Sequence, residues 1–258
     1  VLKNIKYVDK IIPYVEQNNF GQVKIEAFGK QDGLDVCILD LNVDFLFATC
    51  TTRATADGYF DPWGGCNYCY AQSRHARSPT QSIRRIDKQD LIAQITAAKT
   101  VREEQGKRTK YLRFGKLSES GSDLTREAFV ITLEACIETG MKPIIPTKFL
   151  SYDPEIATTL KIADAALLYS IGADELEPGT VALGKSNDFR FAQAIQYFND
   201  GVNVILYQLI DATNLDNTIF AENVKKSLRI KEEHGIPIQF IPIRPIGKKQ
   251  LIAITGKS

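Results

Sequence analysis

No apolar run in this chain of 258 residues approaches the roughly 18 needed to cross a bilayer, so no membrane-spanning helix is expected. The first twenty residues, Val1–Phe20, also lack a charged stretch followed by an apolar core, which argues against a secretory signal and for a cytoplasmic protein with no membrane partner. Charge of one sign is missing as well. Lys and Arg number 32 against 31 Asp and Glu, a net charge of +1 that argues against a general polyanion binder. There is no long Gly/Ser or Pro linker, no low-complexity tract and no repeat of fixed period, which favours one domain. No Gly-x-Gly-x-x-Gly follows the early strand-like segments, so a dinucleotide-binding sheet is unsupported. Gly256-Lys257-Ser258 lacks the upstream glycine of a phosphate loop, since Leu251 stands there. Histidine is scarce, and His75 and His234 have no metal-ligand spacing around them and read as surface residues.

What is present begins with an alternation of strand-like and helix-like segments. Runs rich in β-branched and aromatic residues read as buried strands at Val43–Ala48, Tyr111–Phe114, Pro143–Thr147, Ala165–Ser170, Val202–Ile210 and Pro237–Ile243. Helical patterns lie between them at Lys88–Gln105, Leu124–Thr139, Asp188–Asp200 and Asp216–Glu233, with a shorter one at Pro154–Lys161. Ser122 and Asp123 are suited to capping the second of these, and Gly140 to ending it. Six strand–helix units are too few for an eight-unit barrel, and the pattern predicts an α/β fold, a partial (β/α)6 TIM-type barrel. Residues 1–42, which include the strand-like Gln22–Phe28 and Asp35–Leu41, are expected as an N-terminal extension packed on a core of residues 43–258.

The five cysteines carry the chemistry. An odd number in a chain of this size makes a poor disulfide framework. A strand-like run, Phe45-Leu-Phe-Ala-Thr, leads into Cys50; fifteen residues separate it from Cys66 in Gly64-Gly-Cys66-Asn-Tyr-Cys69. Thiolates suit zinc or an iron–sulfur centre, and two cysteines separated by two residues can grip one metal or cluster. Cys37 and Cys136 read instead as small buried hydrophobes.

Cys50, Cys66 and Cys69, with Tyr68 just before the last cysteine, resemble the Cys-x3-Cys-x2-Cys motif of the radical S-adenosylmethionine (SAM) superfamily. The first spacing departs from that motif. Expanded spacings are found in the 7-carboxy-7-deazaguanine synthases, whose loop is one residue shorter. The stretch Phe114-Gly-Lys-Leu-Ser-Glu-Ser-Gly121 is similar to a degenerate form of the family's Gly-Gly-Glu turn, and Ser170 through Glu177-Pro178-Gly179-Thr180 to Arg190 is similar to the spore-photoproduct-lyase branch.

The resemblance implies a three-cysteine [4Fe-4S] cluster on Cys50, Cys66 and Cys69 whose fourth iron is open to SAM, reduced by a flavodoxin or ferredoxin. It implies that Ser118, Glu119 and Ser120 meet the methionine amino group, that Ser170 and Arg190 serve the ribose or carboxylate, and that Tyr68 lies against adenine. A 5′-deoxyadenosyl radical would then take a hydrogen from the substrate. Lys148, Gln208, Asp211 and Arg244 follow or end strands and are candidates for the substrate side, while Thr51–Trp63 is expected to help cover the site.

Between Ala71 and Lys116 there are 12 basic and 4 acidic residues, a local excess of +8 that includes Arg74, Arg77, Arg84, Arg85 and Lys88. It reads either as a solvated face or as the approach of an anionic nucleotide or nucleic-acid substrate. A small-metabolite radical SAM enzyme is an alternative, and so, in another class, is a metal-binding barrel without catalysis.

Overall fold

The computed structural model describes residues 86–115, 119–210 and 218–243, the three residues Cys50, Cys66 and Cys69, and short strands before residue 85. In chain order the elements are β1 (Lys6–Val8), β2 (Val15–Glu16), β3 (Lys30–Gln31), β4 (Leu34–Asp40), β5 (Leu46–Phe47), β6 (Ser82–Arg84), α1 (Lys88–Glu104), β7 (Arg108–Arg113) and α2 (Arg126–Thr139). They continue with β8 (Lys142–Thr147), α3 (Pro154–Ile162), β9 (Ala166–Ile171), the short α4 (Pro178–Ala182), α5 (Asn187–Asn199), β10 (Asn203–Ile210), α6 (Thr218–His234) and β11 (Ile238–Pro242).

Local chemistry accounts for several boundaries. The Asp87 carboxylate accepts from Asp90 N at 2.9 Å and starts α1. Gly140 takes a left-handed φ of 67° and ends α2. Asp153 accepts from the N–H groups of Glu155 and Ile156, with Pro154 in the first turn of α3. The expected cap at Ser122 differs in detail. Its hydroxyl pairs with Thr125 Oγ1 at 3.1 Å, residues Asp123–Thr125 form a 3-10 turn, and α2 begins at Arg126.

Six strands run parallel in the order β4-β7-β8-β9-β10-β11, with helices in the crossovers, and this is the expected half-barrel. The identity of its first strand is a correction. It is β4, not Val43–Ala48; the described residues of the latter run, Leu46–Phe47, pair antiparallel with β6 in a separate sheet. The runs Val36–Leu39 and Phe45–Ala48 are alike in apolar content, so pairing with β7, not local pattern, decides between them. The antiparallel β2 and β3 both pair with β4.

Alternate strand residues pack outward on the helices: Leu112 and Phe114, Ile145, Leu167, Tyr169 and Ile171, then Val204 and Leu206. They meet Leu91 and Ile95 of α1, Phe129 and Leu133 of α2, and Phe191, Ala194 and Tyr197 of α5. Cys136 is fully buried in this core, and burial pushes its thiol upward. The side chain of Cys37 lies outside the described residues, while His234 is exposed, as expected. Among the described residues no helix is long and apolar enough to cross a membrane.

Candidate functional site

Three segments that leave the C-terminal ends of parallel strands converge: the turn Glu119–Gly121 after β7, Thr147-Lys148 at the end of β8, and Glu177 after β9. This is the end at which half-barrels and barrels carry their chemistry. Each segment has a reason to be where it is. Gly115 has a φ of +76°, and a Cβ there would stand 2.5 Å from Ser120 Oγ. A Cβ at Gly121 would stand 2.6 Å from Thr147 Oγ1 and 2.8 Å from Leu150 Cβ. Both glycines allow a close approach that a side chain would block.

The loop after β8 is tied down from outside. Tyr169 donates its hydroxyl to Leu150 O at 2.7 Å, and Tyr197 donates to Ser151 O at 2.8 Å. Thr147 Oγ1 accepts from the N–H groups of Phe149 and Leu150, both at 3.2 Å. The backbone that carries Lys148 is therefore held in one path.

Glu119 is buried and accepts three donors: the Thr147 hydroxyl at 2.5 Å, Lys148 N at 2.7 Å and Gly121 N at 2.8 Å. Burial raises its pKa from the ordinary carboxylate value, and the Thr147 hydrogen bond opposes the rise. Its own N–H donates to Cys50 Sγ at 3.2 Å. The Lys148 ammonium donates to Cys66 Sγ at 3.3 Å and to Glu177 Oε1 at 2.5 Å. Burial pulls the Lys148 pKa down, and the nearby Cys66 opposes that. The Cys66 thiol is pushed up to about 11 by burial, with Lys148 acting the other way.

The other oxygen of Glu177 pairs with Arg190 Nη2. Burial raises the Glu177 carboxyl, and Arg190 opposes it. Arg190, expected at a cofactor's ribose or carboxylate, is fully buried, and four of its five N–H donors are taken within the protein. Besides Glu177 they reach Ser170 O and Lys185 O, each at 3.0 Å, and Asn187 Oδ1 at 2.9 Å.

Cys50 and Cys66 are buried and Cys69 partly exposed, and the Cys69 N–H donates to Cys66 O at 3.0 Å. The Glu119–Lys148 pair links Cys50 to the Cys66 side. Among the described residues no three His, Cys, Asp or Glu side chains gather closely enough to hold a metal ion. The surroundings nonetheless suit thiolate ligands: a backbone N–H serves one sulfur and an ammonium serves another. Ser120 Oγ is buried with no hydrogen-bond partner among the described residues, a vacancy of bonding that a polar ligand group would satisfy.

The remaining expected residues fall differently. Ser170 is half-buried and offers its carbonyl to Arg190. Gln208, a candidate for the substrate side, is fully buried and points to α6, where its Oε1 accepts from Ser227 Oγ at 2.7 Å. Lys88, part of the basic stretch, pairs with Glu138 at 2.6 Å and Glu134 at 3.0 Å. Tyr68, Ser118, Thr51–Trp63, His75, Arg74, Arg77, Arg85, Asp211, Arg244 and Gly256–Ser258 lie outside the described residues, as does the side chain of Arg84. The Lys148–Cys66 contact was not anticipated, whereas the resemblance had already put the Glu-Pro turn at Glu177 together with Arg190 at the next helix.

The chain superposes on spore photoproduct lyase with bound AdoMet and dinucleoside spore photoproduct at a TM-score of 0.53, with 19% identity, over 74% of this chain and 56% of that one. The half-barrel shares its fold with part of that lyase. A second structure of that lyase, complexed with dinucleoside spore photoproduct, gives a TM-score of 0.52 and 17% identity over the same shares. Streptococcus suis SuiB bound to S-adenosylmethionine gives 0.48 and 14%, over 72% of this chain and 39% of that one. The chain thus spans a little over half the length of the spore photoproduct lyase structures it matches. No family model matches the sequence, and no curated protein matches it.

Proposed function

We propose that the chain is a radical SAM enzyme. The observation that carries this reading is the convergence, on the spore-photoproduct-lyase fold, of Cys50 and Cys66 on donors from the adjoining turns, with Cys69 hydrogen-bonded to Cys66. Cys50, Cys66 and Cys69 would hold a [4Fe-4S] cluster, and with SAM bound beside it that group would supply the one-electron chemistry of the reaction.

The chain's own residues orient and shield. Ser120 would offer its hydroxyl to the methionine amino group together with Glu119, and by the resemblance Ser118 would serve the same group and Tyr68 the adenine. Arg190 acts through Glu177 instead of contacting the cofactor directly. A flavodoxin or ferredoxin supplies the electron.

The substrate is a nucleobase in a nucleotide or nucleic acid. Spore photoproduct lyase structures hold a dinucleoside photoproduct, and the excess of +8 between Ala71 and Lys116 suits a phosphate backbone.

The test is anaerobic reconstitution with iron and sulfide, followed by dithionite and SAM. Wild type is expected to bind iron and sulfide in equal amounts and to release 5′-deoxyadenosine, and Cys66→Ala to do neither. Stoichiometric zinc with no 5′-deoxyadenosine overturns the reading in favour of a metal-binding barrel. Oligonucleotide binding that weakens with salt, and weakens further in an Arg84→Ala/Arg85→Ala variant, supports the substrate class; unchanged weak binding removes it.

A further inference from the structure

We infer that Lys148 sets the reduction potential of the cluster by a charge-assisted hydrogen bond to the Cys66 sulfur, and that Glu177, locked by Arg190, is the positioning residue that holds it there. This rests on the reading that Cys50, Cys66 and Cys69 carry a cluster.

The geometry is specific. Glu177 does not give both oxygens to the fork of Arg190, as an isolated Arg–carboxylate pair would favour. Oε2 goes to Arg190 and Oε1 to Lys148. Arg190 cannot follow a displaced Glu177, because its other donors are bonded to Ser170 O, Lys185 O and Asn187 Oδ1. Glu177 and Arg190 are both fully buried. At its other end Lys148 is fixed by its backbone N–H on Glu119 Oε2 and by the tyrosine-anchored loop that follows. The ammonium is thereby held at 3.3 Å from Cys66 Sγ.

The charges point the same way. Glu177 takes bonds from both Lys148 and Arg190, so its one negative charge is divided between two cations, one of them beside the sulfur. Reduction adds an electron to the cluster. A buried cation and an N–H donor at a ligating sulfur favour the more negative state, and hydrogen bonds to sulfur and local charge are among the factors that set cluster potentials. A lysine needed only to neutralise Glu177 would have no reason to reach the sulfur.

The experiment compares anaerobically loaded wild type with Lys148→Met, Lys148→Arg and Glu177→Gln. Iron and sulfide content is measured first, and the midpoint is then read by redox titration of the reduced-cluster electron paramagnetic resonance signal without SAM. Lys148→Met is expected to shift the midpoint negative by at least a tenfold change in the reduction equilibrium, about 59 mV for one electron. Lys148→Arg keeps donors and charge and is expected to stay near wild type. Glu177→Gln keeps an acceptor for Lys148 but removes its countercharge, and is expected to shift the midpoint positive.

Loaded variants that share the wild-type midpoint overturn the inference while leaving the enzyme reading intact. Wild type that binds no iron overturns the enzyme reading itself. If Lys148→Met takes up no cluster, Glu177→Gln decides: a positive shift upholds the inference and an unchanged midpoint overturns it.

Discussion

Glu119 and Glu177 are two buried carboxylates at the same end of one sheet, and they are held in opposite ways. Glu119 takes its hydrogen bonds from neutral donors, namely one hydroxyl and two backbone N–H groups. Glu177 is held between two cations. Burial raises both carboxyls, so the desolvation is common and only the partners differ. A carboxylate held by dipoles can leave behind donors that water satisfies, whereas one held by cations leaves charges that nothing nearby replaces. The first arrangement shapes a turn; the second organises charge.

Substitutions can break this contrast in graded fashion. The largest effect is expected for Glu177→Ala, which takes from the buried Lys148 and Arg190 the carboxylate they both pair with and should destabilise the fold by roughly 3–5 kcal/mol. Chemical denaturation measures it, and a loss below about 1 kcal/mol would mean the two cations do not depend on this carboxylate. Glu119→Ala leaves only neutral donors unpaired and should cost about 1–3 kcal/mol by the same measurement. Should it equal Glu177→Ala, the distinction between the two turns fails. Thr147→Val removes the donor to Glu119 and the acceptor for Phe149 and Leu150, with about 1–2 kcal/mol expected.

Smallest is Asp153→Ala at the start of α3, about 1 kcal/mol. Asp153 also gives a reference on the protein surface. The hydrogen bond from Arg126 holds its carboxyl below the ordinary value, so its contribution is full above about pH 4 and is lost as pH falls through the lower folded value. Thermal unfolding midpoints of wild type and variant should therefore converge in acid. A gap that persists at low pH would show that the cap acts without its charge.

The strands from β8 onward and the helices between them were legible because each is long and apolar on the face it buries. Their observed ends differ by only a residue or two from those expected, as with Asn187–Asn199 against Asp188–Asp200. The first strand was not legible, because two short apolar runs lie within ten residues of each other and only tertiary pairing chooses between them. Within the site, Glu119, Lys148 and the Glu177 turn with Arg190 drew notice, but the partners of Glu119 and Lys148 did not. Glu177 and Arg190 are thirteen positions apart, and the pair forms because α4 and the turn before α5 fold the chain back. Gln208 ends a strand as a site residue would, yet strand alternation turns it toward Ser227.

The half-barrel leaves a sheet with two rims, and they are finished differently. On one side, β2 and β3 close off β4 by antiparallel pairing. On the other, β11 is the last described strand, with Phe240 and Pro242 exposed. A closed barrel has no such rim to protect. Proline has no N–H to offer an incoming strand, so Pro242 interrupts the ladder where β11 would otherwise template a neighbour. Among the described strands, a further strand added along β11 would therefore meet one missing donor, at Pro242.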